Sequence, residues 1–220
     1  MNQEEQVLVI ERKVFERVGI FNGLMFDVDR YLSEIFVQGV PFFMNRSQVE
    51  KDPDYKQLIP YVIMGYDNKY LSYVRGKRAG ETRLIGNRSI GIGGHINPAD
   101  DMPLFNTDFY ETYLAAVDRE VAEEVAVETS HTNHIVALLN DESNEVGSVH
   151  LGVVHYWALD APNVNKREQM ITQMAFMTSA ELQEVKDTLE TWSRLCVDHL
   201  DKMQKLTKSA LQVDALPEDK

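Results

Sequence analysis

The sequence predicts an α/β domain carrying an N-terminal extension, and three stretches support that prediction. Residues 61–64 and 70–74 are apolar, β-prone runs separated by Gly65-Tyr66-Asp67-Asn68-Lys69, the pattern of a hairpin. Residues 108–125 place apolar side chains at helical spacing. Residues 146–159 hold a long apolar run, with Leu151-Gly152-Val153-Val154-His155-Tyr156-Trp157 at its centre, as expected of a buried strand. At 220 residues the chain suits one sizeable domain. We assign residues 1–58 to the extension, 59–204 to the main domain and 205–220 to a polar tail.

At the start, residues 6–18 mix strand and helix signals, and Val7-Leu8-Val9-Ile10 is the strand candidate. Between Phe21 and Tyr55, the residues Phe26, Tyr31, Leu32, Ile35, Phe36, Phe42 and Phe43 recur with modest helical spacing, predicting an extension that packs on the main domain. The hairpin is followed by a basic loop with Arg75, Lys77, Arg78 and Arg83. A solvated turn is one account of these cations, and a grip on phosphate oxygens is the other. Ser89-Ile90-Gly91-Ile92-Gly93-Gly94-His95 then leads into residues 97–103, whose prolines and acids predict a loop beside the site. His95 is a candidate substrate contact, although a lone histidine more often has a structural role. The long helix is expected to start at Asp108 as its cap, with Glu111 reaching back, and to end at Val125 or Ala126. Strands are expected at 135–139 and 146–159, joined by residues 140–145. A last helix opens within residues 177–182, capped by Thr178 or Ser179. Leu182, Val185, Leu189, Trp192, Leu195, Cys196 and Leu200 continue it at helical spacing, as core or as a dimer face.

The net charge of −13 argues against a general affinity for nucleic-acid backbone. The single cysteine, Cys196, excludes an intramolecular disulfide and fits a reducing cytoplasm. No segment is as long and uncharged as a membrane-spanning helix requires, and Met1-Asn2-Gln3-Glu4-Glu5 lacks the basic start of a secretory signal. A cytoplasmic protein without membrane or nucleic-acid partners is the expectation.

The centre of the long helix reads Arg119-Glu120-Val121-Ala122-Glu123-Glu124. At helical geometry Glu120, Glu123 and Glu124 fall within an arc of roughly 100°. Carboxylates held that closely repel one another unless a cation sits among them. A hard ion such as Mg²⁺ takes oxygen ligands, bridges to substrate phosphates and activates water. Arg119 lies one turn before Glu123 and two turns after Glu111, placed to brace the acids. An acidic run on a helix is usually a solvated face. Here Tyr113, Val117 and Val121 form a stripe adjoining the glutamates, so the acids border a buried face where unpaired charge is costly.

From Gly93 to Val127 the chain resembles the Nudix box, G-x5-E-x7-R-E-U-x-E-E-x-G-U with U aliphatic. The portion E-x7-R-E-U-x-E-E matches at Glu111, Arg119, Glu120, Val121, Glu123 and Glu124. Ala126 replaces the late glycine, and sixteen residues separate Gly94 from Glu111 where the pattern has five. The resemblance implies an α/β/α sandwich with a mixed β-sheet. It also implies metal-dependent pyrophosphohydrolysis of a nucleoside diphosphate linked to another moiety X. Glu120, Glu123, Glu124 and the carbonyl of Gly94 would hold Mg²⁺ or Mn²⁺, while Glu111 and Arg119 orient the helix. A further acid from outside the box would serve as base or extra ligand, and Glu142 and Glu145 are the candidates. The implied partner is a small-molecule nucleotide, with homodimerisation by the same resemblance. Two other functions suit this fold: a non-catalytic nucleotide sensor, and an isopentenyl-diphosphate isomerase, which relies on a cysteine and a glutamate. Tyr66, Tyr73 and Trp157 can stack on a base and can equally belong to the core. The box leaves the substrate open among ADP-ribose, NADH, dinucleoside polyphosphates and non-standard nucleoside triphosphates.

Overall fold

Val7, Leu8, Val9 and Ile10 are all buried, and they form the body of β1 (Gln6–Glu11). The computed structural model describes residues 4–76, 86–100, 108–167 and 171–214, with side chains as far as Thr207. Lys77, Arg78 and Arg83 lie outside the described residues, as do residues 101–107 of the inserted loop. After β1 come α1 (Arg12–Val18), β2 (Gly23–Met25), α2 (Val28–Ile35), β3 (Phe42–Asn45) and α3 (Arg46–Val49). β1 pairs antiparallel with β3 through Val9↔Phe42 and with β4 (Tyr55–Tyr66) through Val9↔Gln57. The expected extension is therefore hydrogen-bonded into the sheet, and its expected boundary after residue 58 falls inside β4.

β4 and β5 (Lys69–Arg75) make the expected hairpin. Asp67 and Asn68 have φ of 46° and 58°, so both turn residues are left-handed, as a two-residue type I′ turn requires. Asp and Asn tolerate that region better than other non-glycine residues. Gly65, where the hairpin closes, has a different reason to be glycine: a Cβ there would land on the Tyr156 hydroxyl.

β6 (Arg88–Ser89) and β7 (Gly91–Ile92) lead to a 3-10 turn at Pro98–Asp100 and then to α4 (Phe109–Glu124). Asp108 caps α4, its Oδ1 accepting from the Tyr110 amide at 2.9 Å. Tyr113, Val117 and Val121 are buried along one stripe, as their spacing predicted.

β8 (Val125–Val127), β9 (His131–Asn140), α5 (Glu145–Ser148), β10 (His150–Leu159) and β11 (Val164–Lys166) follow. The expected strand from residue 146 starts only at His150. Asn144 Oδ1 accepts from the Gly147 amide at 2.9 Å and winds residues 145–148 into a helical turn. β12 (Ile171–Thr178), which the sequence did not suggest, pairs with β5 and ends at Thr178. Thr178 and Glu181 form a capping box at the start of α6 (Ser179–Glu184).

The expected single C-terminal helix is divided. α6, a 3-10 turn at Lys186–Thr188, α7 (Thr191–Val197) and α8 (Leu200–Asp214) share the apolar set, and Leu189 between them is extended with ψ 142°. Cys196 belongs to α7 rather than to the last helix, and it is buried. Residues 205–214, expected to be a polar tail, belong to α8.

Among the described residues ten strands join a large mixed sheet whose main path is β12-β5-β4-β10-β9-β2, while β8 and β11 form a separate pair. The chain divides into two compact units, Met1–Val62 with Ile92–Glu123 and Ala137–Val154, and Ile63–Gly91 with Glu124–Val136 and His155–Lys220. Among the described residues no helix is long and apolar enough to cross a membrane.

Replacing Gly65 with alanine should destabilise the protein by about 1–3 kcal/mol, the usual result of overfilling a packed site. Denaturant unfolding measures this, and a variant as stable as the parent would refute the close approach of Tyr156.

Candidate active site

α4 delivers Arg119, Glu120 and Glu123 to one spot, and Arg119 sits among the acids. Its Nε donates to Asp100 Oδ1 at 2.6 Å and its Nη2 to Asp100 Oδ2 at 2.9 Å, a two-point grip. Nη2 also reaches the His95 carbonyl at 2.9 Å, while Nη1 reaches Glu120 Oε1 at 2.7 Å and Glu123 Oε1 at 3.2 Å. These contacts, led by the Asp100 hydrogen bonds, raise the Arg119 pKa further. Burial raises the Glu120 carboxyl, opposed by the charge and hydrogen bond of Arg119. Glu124 ends the helix, and its carbonyl accepts from the Arg167 amide at 2.9 Å.

Glu111, the first acid expected from the box, is not among the carboxylates that Arg119 meets. Glu111 lies exposed in the first turn of α4, while Asp100 is buried and fully engaged by the guanidinium. Five residues separate Gly94 from Asp100, the spacing that the box gives between its glycine and its first acid. The extra residues therefore fall between Asp100 and Arg119, eighteen where the pattern has seven, rather than between Gly94 and the first acid. Counting from the glycine would have found Asp100, but the presence of a glutamate eight residues before Arg119 concealed it.

Gly94 tests whether these groups suit a divalent cation. A Cβ at Gly94 would land in the carboxylate of Glu120, so a larger residue there would require that side chain to move. The two carboxylates, the adjacent backbone and the hard-oxygen donor set fit Mg²⁺ or Mn²⁺. Among the described residues no three His, Cys, Asp or Glu side chains converge as a ready-made metal cluster. Arg119 Nη1 is the positive charge shared by Glu120 and Glu123.

His95 turns its ring away from this cluster. Its Nε2 is 3.0 Å from Gln57 Oε1 and 3.4 Å from His150 Nε2. Burial, then the charges of Arg46 and His150, push its pKa down to about 3, so the imidazole is neutral.

Glu142 is held by cations. Lys56, fully buried, donates to Asn140 Oδ1 at 2.7 Å and to Glu142 Oε1 at 2.8 Å, and Arg12 reaches Glu142 at 3.3 Å. Burial alone would raise the Glu142 carboxyl, but the bonds from Lys56 and Asn140 outweigh it and lower its pKa. Glu145 is exposed in the first turn of α5. Arg75 pairs with Glu190 at 3.1 Å. Tyr73 is buried with its hydroxyl donating to the Gly91 carbonyl at 3.0 Å, and Trp157 is buried against His131, so both belong to the interior, while Tyr66 is partly exposed.

No protein-family model matches the chain. It is 31% identical over 206 residues to Protein YmaB of Bacillus subtilis (strain 168), covering 90% of this chain and 98% of that protein. Among solved structures it resembles Tm1382, a candidate Nudix hydrolase, with a TM-score of 0.72 and 27% identity over 89% of this chain and 98% of that one. The chain is a Nudix protein of the YmaB family. DR0079 from Deinococcus radiodurans shares the fold alone, with a TM-score of 0.50 and 15% identity over 73% of this chain and 91% of that one. Within this Nudix protein, the box residues Gly94, Arg119, Glu120 and Glu123 are joined by Asp100.

The Glu142 pairing predicts a pH dependence. A carboxyl with a lowered folded pKa contributes stability that is present above the ordinary value and lost as pH falls through the folded value. Glu142→Gln should therefore be less stable than the parent at neutral pH, and the gap should close below about pH 4. Melting temperatures across that range measure it, and a gap independent of pH would refute the pairing.

Proposed function

We propose that the chain is a metal-dependent pyrophosphohydrolase acting on a nucleoside diphosphate linked to a second moiety. The supporting observation is the Gly94 backbone lying against Glu120 while Arg119 braces Glu120 and Glu123. Glu120, Glu123, Glu124 and the Gly94 carbonyl would hold Mg²⁺ or Mn²⁺. When bound, the ion neutralises diphosphate charge and polarises a water for attack.

The protein's own groups do the rest. Asp100 fixes Arg119, and Arg119 fixes the direction in which Glu120 and Glu123 present their oxygens. A glutamate of α4 takes the proton of the attacking water as general base. Water adds to one phosphorus and the bridging P–O bond breaks, giving a nucleoside monophosphate and the phosphorylated second moiety, with the leaving phosphate carrying the bridging oxygen. Arg75 is the described cation of the basic segment, and it meets phosphate oxygens as a charged hydrogen-bond donor. The isomerase alternative needs an available thiol. Cys196 does not provide one, because it is buried and burial raises its pKa.

Mononucleotide release from a panel of nucleoside diphosphate compounds, with Mg²⁺ and again with chelator, tests the activity. No release from any compound would refute it. Glu124→Gln should nearly abolish turnover without changing the fold, and retained turnover would remove Glu124 from the site. Asp100→Asn should lower activity by roughly 10–100-fold, as loss of a ligand-supporting partner does. Glu111→Ala should stay within about twofold of the parent, as exposed substitutions do. The reverse ranking would favour Glu111 over Asp100 as the acid that supports the site.

A further inference from the structure

Three polar side chains within one compact unit converge apart from the α4 acids: Gln57 of β4, His95 after β7, and His150 at the start of β10. The Gln57 backbone amide donates to the Val149 carbonyl at 2.8 Å, which sets Gln57 beside the first residue of β10. His95 is held through its main chain, its carbonyl accepting from Arg119 Nη2 at 2.9 Å. The next carbonyl, that of Ile96, accepts from the Leu8 amide at 3.0 Å. Gln57 is fully buried and His150 is 9% exposed.

His95 Nε2 is the meeting point, 3.0 Å from Gln57 Oε1 and 3.4 Å from His150 Nε2. The two rings are tilted by 59° with centres 5.6 Å apart, so they meet through these nitrogens rather than by stacking. His150 Nδ1 donates to the Val146 carbonyl at 2.6 Å, and in the neutral ring that leaves Nε2 as the lone-pair nitrogen. Ligating histidines are held in this way, one nitrogen donating to a carbonyl while the other faces the ion. The separation of the two Nε2 atoms is long for a hydrogen bond, whose usual span is roughly 2.7–3.2 Å. Ligands about 2.1 Å from one ion lie about 3.4 Å apart at a tetrahedral angle and about 3.0 Å apart at a right angle. Both distances from His95 Nε2 are of that size.

Gln57 adds an independent observation. Its Nε2 is buried and has no hydrogen-bond partner among the described residues. An unpaired buried donor costs free energy, which coordination of the same amide's oxygen to a cation would offset. Two imidazole nitrogens and a neutral oxygen suit Zn²⁺, Co²⁺ or Ni²⁺, whereas Mg²⁺ prefers oxygen alone. Among the described residues no third His, Cys, Asp or Glu joins the pair, which leaves water to complete the shell.

We propose that His95, His150 and Gln57 form a cation site separate from the α4 carboxylates, taking a zinc-class ion through both Nε2 atoms and the glutamine Oε1. The site uses none of the α4 acids and is independent of the pyrophosphohydrolase reading. A cluster joined by hydrogen bonds alone would leave metal binding unchanged when a histidine is replaced.

The test is a Co²⁺ titration of the full, chelator-stripped chain followed by visible absorption. Cobalt held by imidazole nitrogens at low coordination number absorbs strongly, whereas cobalt among carboxylates and water absorbs weakly. The parent should develop the strong band, and added Zn²⁺ should remove it. His95→Phe and His150→Phe should each weaken cobalt binding by at least the roughly 10–100-fold that loss of a mere supporting partner costs. Glu120→Gln combined with Glu123→Gln should keep the band. A parent without the band overturns the proposal, as does a band that is lost with the two glutamates and kept without His150. If the histidine variants do not fold, nitrogen NMR of the parent decides. Zn²⁺ should shift the Nε2 resonances of His95 and His150 together, and resonances that Zn²⁺ leaves unmoved overturn the proposal.

Discussion

The guanidinium of Arg119 is the interaction on which the site depends. It meets both oxygens of Asp100, one each of Glu120 and Glu123, and the carbonyl of His95. In a chain of net charge −13, three carboxylates at one place would repel one another without it. Asp100 is 3% exposed in its side chain, and a buried carboxylate is tolerated only when paired and hydrogen-bonded. The bidentate geometry makes this pairing directional as well as attractive, which an ammonium would not do. The rotation of α4 and the position of the loop after Gly94 are set by the same contact.

That loop is also held from the N-terminal side. The Leu8 amide of β1 donates to the Ile96 carbonyl at 3.0 Å, just past the Gly94-His95 step. Asp100 Oδ2 accepts from the Asn97 amide at 2.7 Å and closes the 3-10 turn that presents it to Arg119. The first residues of the chain therefore contribute to the site through backbone geometry, although none of them carries its chemistry. Lys56 has a comparable role one residue before Gln57 on β4, where it ties Asn140 and Glu142 to the start of that strand.

Strong periodicity made part of this legible in the sequence. The buried stripe Tyr113, Val117 and Val121 fixed α4 within a residue or two, and the Asp67-Asn68 turn fixed the β4–β5 hairpin. Asp100 was not legible, because Glu111 satisfied one spacing of the box and Asp100 satisfied the other. Only position in space decides between them. β12 escaped because its pattern is interrupted: Gln173 has φ 48° and the register with β5 shifts between Thr172 and Ala175. The apolar set from Leu182 to Leu200 suggested one helix, but the Glu190 amide bonds the Arg88 carbonyl instead of a helical partner. Local spacing cannot register a hydrogen bond to a strand a hundred residues away.

Two buried ion pairs show why burial alone does not assign a role. In Lys56–Glu142 the cation is completely covered and the acid is 28% exposed, and Arg12 is a second cation on that acid. The lysine is covered, and the acid it meets has two cationic partners that tie β4 and α1 to the loop after β9. In Arg75–Glu190 the order is inverted. The acid is 7% exposed and fixed by two hydroxyls, and the cation is 22% exposed. The buried acid fixes the partly exposed guanidinium, so the entropy of ordering that side chain is lost on folding. The same physical element, a partly buried ion pair, leaves the acid the more exposed member in one place and the cation in the other.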